Sequence, residues 1–158
     1  MDFKIRPGTV EDMPTVMALV KELADYEQAP HEVEVTLEEL EKDFAMEYFH
    51  FLAAEVKGKV VGICLYFIKY STWKGKCIYL DDIIVHDTYR GEGIGSKLFE
   101  SLIGMAQEMG VRKLEWMVLN WNENAIGFYE KFPTVFDSEW ILCKLTEKEI
   151  KKYPIQSN

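Results

Sequence analysis

The pattern of apolar and polar residues along the chain predicts alternating helices and strands. "FKIRP" is typical of a short strand, and Thr9 with Asp12 forms a capping-box-like start for an amphipathic helix. Thr36 with Glu39 repeats this start signal for a second, shorter helix. Next, "FHFLAAEV" and "VVGICLYFIKY" flank the break "KGK" and therefore predict a β-hairpin.

"CIYLDDIIV" predicts a further strand of this group, with side chains alternating between the two faces of the sheet. Strict alternation sends Tyr79, Asp81, Ile83 and Val85 to one face and Ile78, Leu80, Asp82 and Ile84 to the other. The two neighbouring aspartates are therefore expected on opposite faces.

The second half of the chain continues the mixed pattern. Leu98, Leu102, Met105 and Met109 form one apolar stripe of a helix that Gly110 ends. "KLEWMVL" predicts a strand, "NENAIGFYEK" a short helix, "SEWILCKL" another strand and "TEKEIKKY" a last helical turn. This order of elements, with several hairpins, argues against a purely parallel doubly wound sheet.

Length and composition indicate one domain over residues 1–158, because 158 residues with 48% hydrophobic content suffice for one core. No apolar run reaches the roughly 18 residues of a membrane helix, and the N-terminus lacks a signal-peptide layout. We therefore expect a cytoplasmic protein that does not bind membranes. The net charge of -9 likewise argues against a nucleic-acid partner.

Cysteines and histidines give no sign of a metal site. Cys64, Cys77 and Cys143 are widely spaced among apolar neighbours, as reduced core thiols are. The three histidines are His31, His50 and His86, and their spacing is not that of metal ligands. We therefore predict no metal site.

Acidic residues are concentrated between Glu22 and Glu47, where ten acids accompany one base, Lys42. One interpretation is a solvated helix face with acids near helix starts. The other is a negative field that attracts a cationic ligand.

"YRGEGIGSKL" places an arginine and three glycines before a helix, an arrangement that suits anion binding by backbone N–H groups. A Walker loop has a glycine, four further residues and then Gly-Lys-Ser/Thr, and that spacing is missing here. The dinucleotide fingerprint is weak, because Ser96 replaces its third glycine. The pattern that fits is Arg-x-x-Gly-x-Gly, formed by Arg90, Gly93 and Gly95.

Together with the preceding "DDIIV" and the later "NxxAxxFYEK", this loop resembles that of the GNAT superfamily of N-acetyltransferases. The segments "IRPGTVED", "VKELADYE", "YSTWKGK", "IYLDDIIVHDTYRGEGIGSKL" and "NWNENAIGFYEK" are similar, in order, to those of its diamine (spermidine/spermine) and thialysine acetyltransferase branch. The resemblance implies an α/β GNAT fold: a mixed, mostly antiparallel sheet of about six or seven strands with about four helices. It also implies acetyl-CoA as co-substrate and a homodimer.

The resemblance further implies a coenzyme site. Its pyrophosphate would be held by Arg90, Gly91, Glu92, Gly93, Ile94, Gly95 and Ser96, and its pantetheine arm by the backbone of Ile83, Ile84 and Val85. Asn122, Glu123, Asn124 and Ala125 would complete this site.

Amine acetylation requires a base, because an alkylammonium group with a pKa near ~10 must lose a proton before it attacks. By resemblance the base is Asp81, where the diamine enzymes typically have glutamate, and the acid that protonates the leaving thiolate is Tyr129. Phe132-Pro133 replaces the family's usual "FYxxxG" continuation, so the turn after Tyr129 must form differently.

A small cationic amine is the expected acceptor, and the matching positions that would line its site are Tyr26, Glu27, Asp81, Glu115, Trp116 and Met117. Carboxylates would attract such a polycation, and aromatic rings would attract its ammonium groups. Two alternatives stay open: an acetyltransferase for another amine, such as an amino acid, an antibiotic or a protein N-terminus, and a coenzyme-A-binding sensor without catalysis.

Overall fold

The computed structural model describes residues 1–155 and contains five strands and five α-helices among them. The strands are β1 (Lys4–Pro7), β2 (His50–Val56), β3 (Lys59–Ser71), β4 (Gly75–Val85) and β5 (Leu114–Glu115). The helices are α1 (Met13–Tyr26), α2 (Leu37–Ala45), α3 (Ile94–Glu108), α4 (Glu123–Tyr129) and α5 (Glu147–Lys152). Short 3-10 turns occupy Val10–Asp12, Pro30–Glu32 and Asp87–Tyr89.

The strands form one sheet in the order β1-β2-β3-β4-β5. The first four are antiparallel neighbours, and β5 joins β4 in parallel, which the connection through α3 makes possible. The predicted mixed, mostly antiparallel α/β architecture is therefore confirmed.

The predicted number of strands is too high for the part of the chain that the structure describes. In "KLEWMVL" only Leu114–Glu115 joins the sheet. "SEWILCKL" forms no strand in the structure, and its Trp140 and Ile141 are 74% and 86% exposed. Alternation in sequence indicates which residues can form a strand, but a ladder also requires a partner backbone, which single-segment patterns do not reveal.

One face of the sheet is covered by α1 and α2. Met13, Val16 and Leu40 from these helices pack with Ile63 and Ile84 of the sheet in one buried cluster. The predicted cap of α2 is confirmed, since the Thr36 hydroxyl accepts from the Glu39 N–H at 3.2 Å. The start signal at Thr9 instead produces the 3-10 turn Val10–Asp12, and α1 begins after it.

The opposite face is covered by α3, in which Leu98 and Leu102 of the predicted apolar stripe are buried and Met105 is half-buried. The Tyr66 hydroxyl on β3 lies 3.8 Å from the Met105 sulfur on α3. A side chain at Gly62 would lie 3.4 Å from the Leu98 side chain, so this glycine lets α3 approach β3 closely. The sheet is thus the middle of three layers, and the loop that starts α3 follows β4 after the 3-10 turn Asp87–Tyr89.

By its internal contacts the chain divides into two compact units, Met1–Leu119 and a second that begins at Asn120. The whole sheet with α1, α2 and α3 belongs to the first unit, and α4 and α5 belong to the second. One domain over residues 1–158 stays a prediction.

Candidate active site

Strand β4 contains a bulge at Asp81. Leu65 pairs with Asp82 while Tyr66 pairs with Leu80, so Asp81 has no residue of its own opposite it on β3. A bulge resets the alternation of side chains along its strand. Asp82 therefore lies opposite Leu65, on the face that α1 and α2 cover.

The predicted distribution of faces is wrong beyond this bulge. The α1 side of β4 carries Tyr79, Asp81, Asp82 and Ile84, and the α3 side carries Ile78, Leu80, Ile83 and Val85. The two aspartates consequently share a face.

Burial raises the pKa of both carboxyls of this pair. Burial, together with the negative charges of Asp81 and Glu27, raises the pKa of Asp82 to about 7. Burial also raises the pKa of Asp81 and of Glu27, although Asp81 is the more exposed of the aspartates. An ordinary aspartate has a pKa of about 4, so Asp82 with a pKa of about 7 changes its protonation near neutral pH.

An aromatic ring lies beside the acidic pair. Tyr79 stacks on Phe67 with ring centroids 5.0 Å apart. Burial raises the pKa of the Tyr79 hydroxyl, and the carboxylates of Asp81, Glu115 and Asp82 raise it further. Lys69 Nζ already lies 5.6 Å from the centre of this ring, so the negative region that could attract an organic cation is formed by Asp81 and Asp82.

Glu115, predicted to bind the acceptor, already has two cationic partners. Its oxygens lie 2.5 Å from Lys69 Nζ and 2.7 Å from Lys113 Nζ. Partial burial opposes ionisation of Glu115, but the hydrogen bonds from the two lysines outweigh it and lower its pKa. A cationic acceptor would therefore compete with two lysines for Glu115.

The other predicted acceptor residues lie at three places in the first unit. Tyr26 ends α1, with Glu27 directly after it, and is 39% exposed. Trp116 contacts the buried Phe99 edge-to-face, with centroids 5.2 Å apart. Met117 follows with 61% of its surface exposed. Tyr26 and Met117 are thus accessible to a ligand, whereas Trp116 also packs against α3.

The glycine-rich loop has the backbone that an anion site requires. Gly91 and Gly93 have φ angles of 82° and 81°, a left-handed conformation that favours glycine. Gly93 directly precedes α3 and accepts the first helical hydrogen bond, from the Lys97 N–H at 3.0 Å. The predicted residues Arg90 to Gly93 thus form the loop, and Ile94 to Ser96 form the first helical turn, whose N–H groups have no acceptor within the helix.

Arg90 joins this loop to two other elements. Its Nε donates to the Val85 carbonyl at the end of β4, 2.9 Å away, and its Nη2 donates to Glu22 on α1 at 3.0 Å. Its guanidinium also lies 5.7 Å from the centre of the Tyr26 ring. The orientation of the loop is therefore set from both β4 and α1.

The end of β4 offers backbone groups on one edge. Ile83, Ile84 and Val85 pair with β3 on one side, whereas β5 pairs with β4 only at Ile78 and Tyr79. Within the described residues, no strand continues the ladder on the β5 side beyond Tyr79. After this free edge of β4, the 3-10 turn Asp87–Tyr89 leads into the glycine-rich loop.

The predicted residues of the second unit lie on α4 and its N-terminal cap. Asn122 is buried and caps α4, because its side-chain oxygen accepts from the Ala125 N–H at 3.1 Å. Glu123, Asn124 and Ala125 form the first turn of that helix. This capping explains why asparagine occupies position 122, whether or not a ligand binds there.

Tyr129 is the last residue of α4 and is buried, with 6% of its surface exposed. The helix ends in a compact turn in which the Tyr129 carbonyl accepts from the Phe132 N–H at 3.0 Å. The Thr134 hydroxyl donates to the same carbonyl at 2.8 Å. The sequence "FPT" therefore closes the turn without the glycine usual in the family.

Residues 1–155 contain neither a cluster of metal ligands nor a membrane-spanning helix. No group of three or more His, Cys, Asp or Glu side chains among them is arranged to hold a metal ion. None of the described helices has the length and apolarity needed to cross a membrane.

Comparison with solved structures shows the fold. An aminoglycoside acetyltransferase from an uncultured soil metagenomic sample superimposes with a TM-score of 0.77, over 91% of this chain and 95% of that one. The two sequences are only 19% identical, so this similarity shows the fold alone.

Sequence comparison identifies the family. Residues 16–132 match the model of the Acetyltransferase (GNAT) family, and the chain belongs to that family. It is 38% identical to the thialysine N-epsilon-acetyltransferase of Bos taurus over 136 residues, covering 80% of each chain. It is 33% identical to the human spermidine/spermine N(1)-acetyltransferase-like protein 1, over 94% of this chain and 23% of that protein. The predicted branch is thereby confirmed, and the protein is an N-acetyltransferase.

Sequence reasoning missed two residues of this site. Asp82 was expected on the face away from Asp81, and only the bulge brings both carboxylates together. Glu22 was counted only as one of many acids, although it contacts the loop through Arg90. The adjacent Asp-Asp pair was a signal for the first residue, but no local pattern signals the second.

Proposed function

We propose that the protein transfers the acetyl group of acetyl-CoA to a primary amine of a small cationic acceptor, by direct attack in a ternary complex. The observation that carries this proposal is the pair Asp81 and Asp82 beside Glu27, in which one carboxyl has a pKa of about 7. Such a carboxyl can accept a proton near neutral pH, and its neighbours supply negative charge that attracts the acceptor.

The base in this proposal is Asp82, with Asp81 as the neighbour that keeps its pKa high. An ordinary aspartate is a poor base for an alkylammonium group, because the two pKa values differ by about 6 units. Raising the pKa of the acid to about 7 halves that gap and reduces the unfavourable free energy of proton transfer accordingly. Asp81, predicted from the resemblance, occupies the bulge and remains a candidate contact for the acceptor.

The covalent steps follow from this assignment. After Asp82 takes a proton from the ammonium group, the nitrogen lone pair forms a bond to the thioester carbonyl carbon. The C–S bond then breaks with its electrons on sulfur, and the Tyr129 hydroxyl protonates that thiolate. The nitrogen loses its second proton as it becomes an amide, which restores Tyr129, and Asp82 releases its proton to solvent. Tyr129 is assigned by the family motif.

The residues present fit the coenzyme. Left-handed Gly91 and Gly93 and the first turn of α3 supply N–H groups for its pyrophosphate. The free edge of β4 at Ile83, Ile84 and Val85 suits an arm that carries amide groups. When bound, acetyl-CoA supplies the activated acetyl group, and an N–H of this edge would polarise its carbonyl. Asn122 to Ala125 are proposed to complete the coenzyme site.

The acceptor is proposed to bind along Tyr26, Glu27 and the Asp81–Asp82 pair. Thialysine and spermidine, which appear in the names of the relatives, are amines that carry more than one charged group at neutral pH. The second ammonium group of such a molecule would find Glu27, whereas Glu115 is already neutralised by lysines. Trp116 and Met117 would contact the apolar part of the acceptor.

The test is release of coenzyme thiol from acetyl-CoA with putrescine, spermidine, spermine, thialysine, lysine and an uncharged primary amine. We expect turnover with polyamines or thialysine, and little with the uncharged amine. Turnover only with unrelated amines would contradict the acceptor class but keep the reaction. Binding of acetyl-CoA without any turnover would instead indicate a sensor.

We also propose that the protein acts as a homodimer in the cytoplasm, without nucleic-acid or membrane partners. Trp140, Ile141 and Leu142 support the dimer, because large apolar side chains on an exposed segment are typical of interfaces. Light scattering should give the mass of two chains, and Trp140→Ser with Ile141→Ser should reduce it to one. A wild-type mass of one chain would contradict the dimer.

A further inference from the structure

Glu22 is a charged residue of α1 that contacts the anion-binding loop. Its Oε1 accepts from the backbone N–H of Asp87, 3.0 Å away, and from Arg90 Nη2, also at 3.0 Å. One carboxylate oxygen thus receives two donors from the segment between β4 and α3. These residues are 65 and 68 positions away in sequence, so the contact joins distant parts of the chain.

Arg90 is held on three sides as a result. Besides Glu22 it contacts the Val85 carbonyl and the ring of Tyr26. Since Arg90 directly precedes Gly91, the position of its main chain influences where the glycine-rich loop begins. The contacts with Glu22 therefore orient the loop relative to α1 as well as to β4.

The C-terminal end of α1 also carries residues that are proposed to bind the acceptor. Tyr26 lies four residues after Glu22, on the same face of α1. Glu27 follows, and its charge raises the pKa of Asp82. A displacement of the end of α1 would therefore reach both the loop, through Glu22, and the proposed base, through Glu27.

We propose that Glu22 is a positioning residue that links the coenzyme loop to the acceptor end of α1, so that binding of either substrate favours binding of the other. The identity of the two ligands rests on the proposed function, whereas the link is a property of the protein alone. It acts through Arg90 and touches neither reacting group.

Orientation, more than charge, accounts for this effect. The side chains of Arg90 and Glu22 are 46% and 27% exposed, and ion pairs at such positions contribute little attraction by themselves. A shared acceptor oxygen nevertheless fixes two donors at once, one of them a main-chain group of the loop. Coupling between two sites is typically about 5- to 150-fold in affinity, and we expect the lower end here.

The first test measures amide hydrogen exchange of the full chain in peptides that cover residues 20–29 and 86–97. We expect faster exchange in both for Glu22→Ala. Glu22→Gln should be intermediate, because the amide oxygen still accepts from the Asp87 N–H. The matched control is Glu100→Ala, which removes an exposed pair with Lys97 on α3 (3.5 Å) and should leave both peptides unchanged.

The second test measures the affinity for coenzyme A by calorimetry, with and without saturating spermidine, and the steady-state constants. In the wild type spermidine should tighten coenzyme binding about 5-fold or more, and in Glu22→Ala this factor should approach one. KM should rise for both substrates while kcat changes less. Equal exchange in wild type and Glu22→Ala, or a loss confined to kcat, would overturn the proposal.

The two proposals fail in different ways. Absence of coenzyme binding and turnover in the wild type would refute the proposed function, and the exchange experiment would still decide the role of Glu22. If Glu22→Ala does not fold, as judged by circular dichroism, Glu22→Gln decides: exchange equal to wild type in both peptides overturns the link.

Discussion

Asp81 and Asp82 share one face of the sheet because the register of β4 against β3 slips by one residue at Asp81. In a regular strand these two carboxylates would point to opposite sides and would influence each other less. Sharing a face, they combine burial with like-charge repulsion, and both effects disfavour ionisation of Asp82. The bulge thus provides the conditions for a base that works near neutral pH.

The pH dependence of kcat/KM should report this carboxyl. Because Asp82 must be ionised to accept a proton, activity should rise as pH increases through about 7. Asp81→Asn removes the adjacent negative charge, lowers the pKa of Asp82 and should move this rise to lower pH. Glu27→Gln should act in the same direction. The measurement is the rate of thiol release between pH 5 and 9.

The control for this profile is Glu38→Gln, an exposed acid of α2, which should leave the rise in place. Asp82→Asn should abolish the rise and lower kcat/KM by about 100-fold or more, as loss of a general base typically does. An unshifted profile in both Asp81→Asn and Glu27→Gln would contradict the assignment.

The same carboxyl should reduce stability at high pH. The folded-state pKa of Asp82 is raised above its unfolded value, so the folded protein binds the proton more tightly and stability falls as pH rises from about 4 to 7. Asp82→Asn removes this effect and should raise the Tm at pH 8 but not at pH 4. With about 1.4 kcal/mol per pKa unit, the gain at pH 8 is a few kcal/mol at most. Calorimetric scans at both pH values test this, and equal Tm changes at pH 4 and 8 would contradict it.

Gly93→Ala should weaken coenzyme binding. Gly93 has a φ of 81°, and a residue with a Cβ costs roughly 1–2 kcal/mol in that conformation. The loop would relax and its N–H groups would diverge, so we expect KM for acetyl-CoA to rise about 10-fold. The matched control is Gly104→Ala in α3, where a Cβ meets open space and alanine should stabilise the helix. Equal KM values for wild type and Gly93→Ala would refute the role of the loop.

Tyr129→Phe should separate catalysis from coenzyme binding. It removes only the hydroxyl that is proposed to protonate the thiolate, so kcat should fall about 100-fold while the Kd of acetyl-CoA stays within about 2-fold. Tyr153→Phe, an exposed tyrosine of the second unit, serves as the control. Turnover that survives in Tyr129→Phe would show that another group or solvent supplies the proton.

The sequence predicted those elements that depend on interactions between residues close together in the chain. Thr36 with Glu39 marks the start of α2 because the capping hydrogen bonds join residues only three apart. The stripe from Leu98 to Met109 predicts α3 because its period matches the helical turn. The glycines of the loop predict its backbone, and the order of the motifs was sufficient to predict the family.

The tertiary structure decided how these elements meet. The bulge at Asp81 depends on how β3 pairs with β4. Residues 138–145 form no strand because strand formation also requires a partner backbone. The contact of Glu22 with Arg90 depends on the packing of α1 beside the loop. None of these has a local signature. Strand register and side-chain contacts across 65 residues are settled by competition among many alternative pairings, and only the folded chain selects one of them.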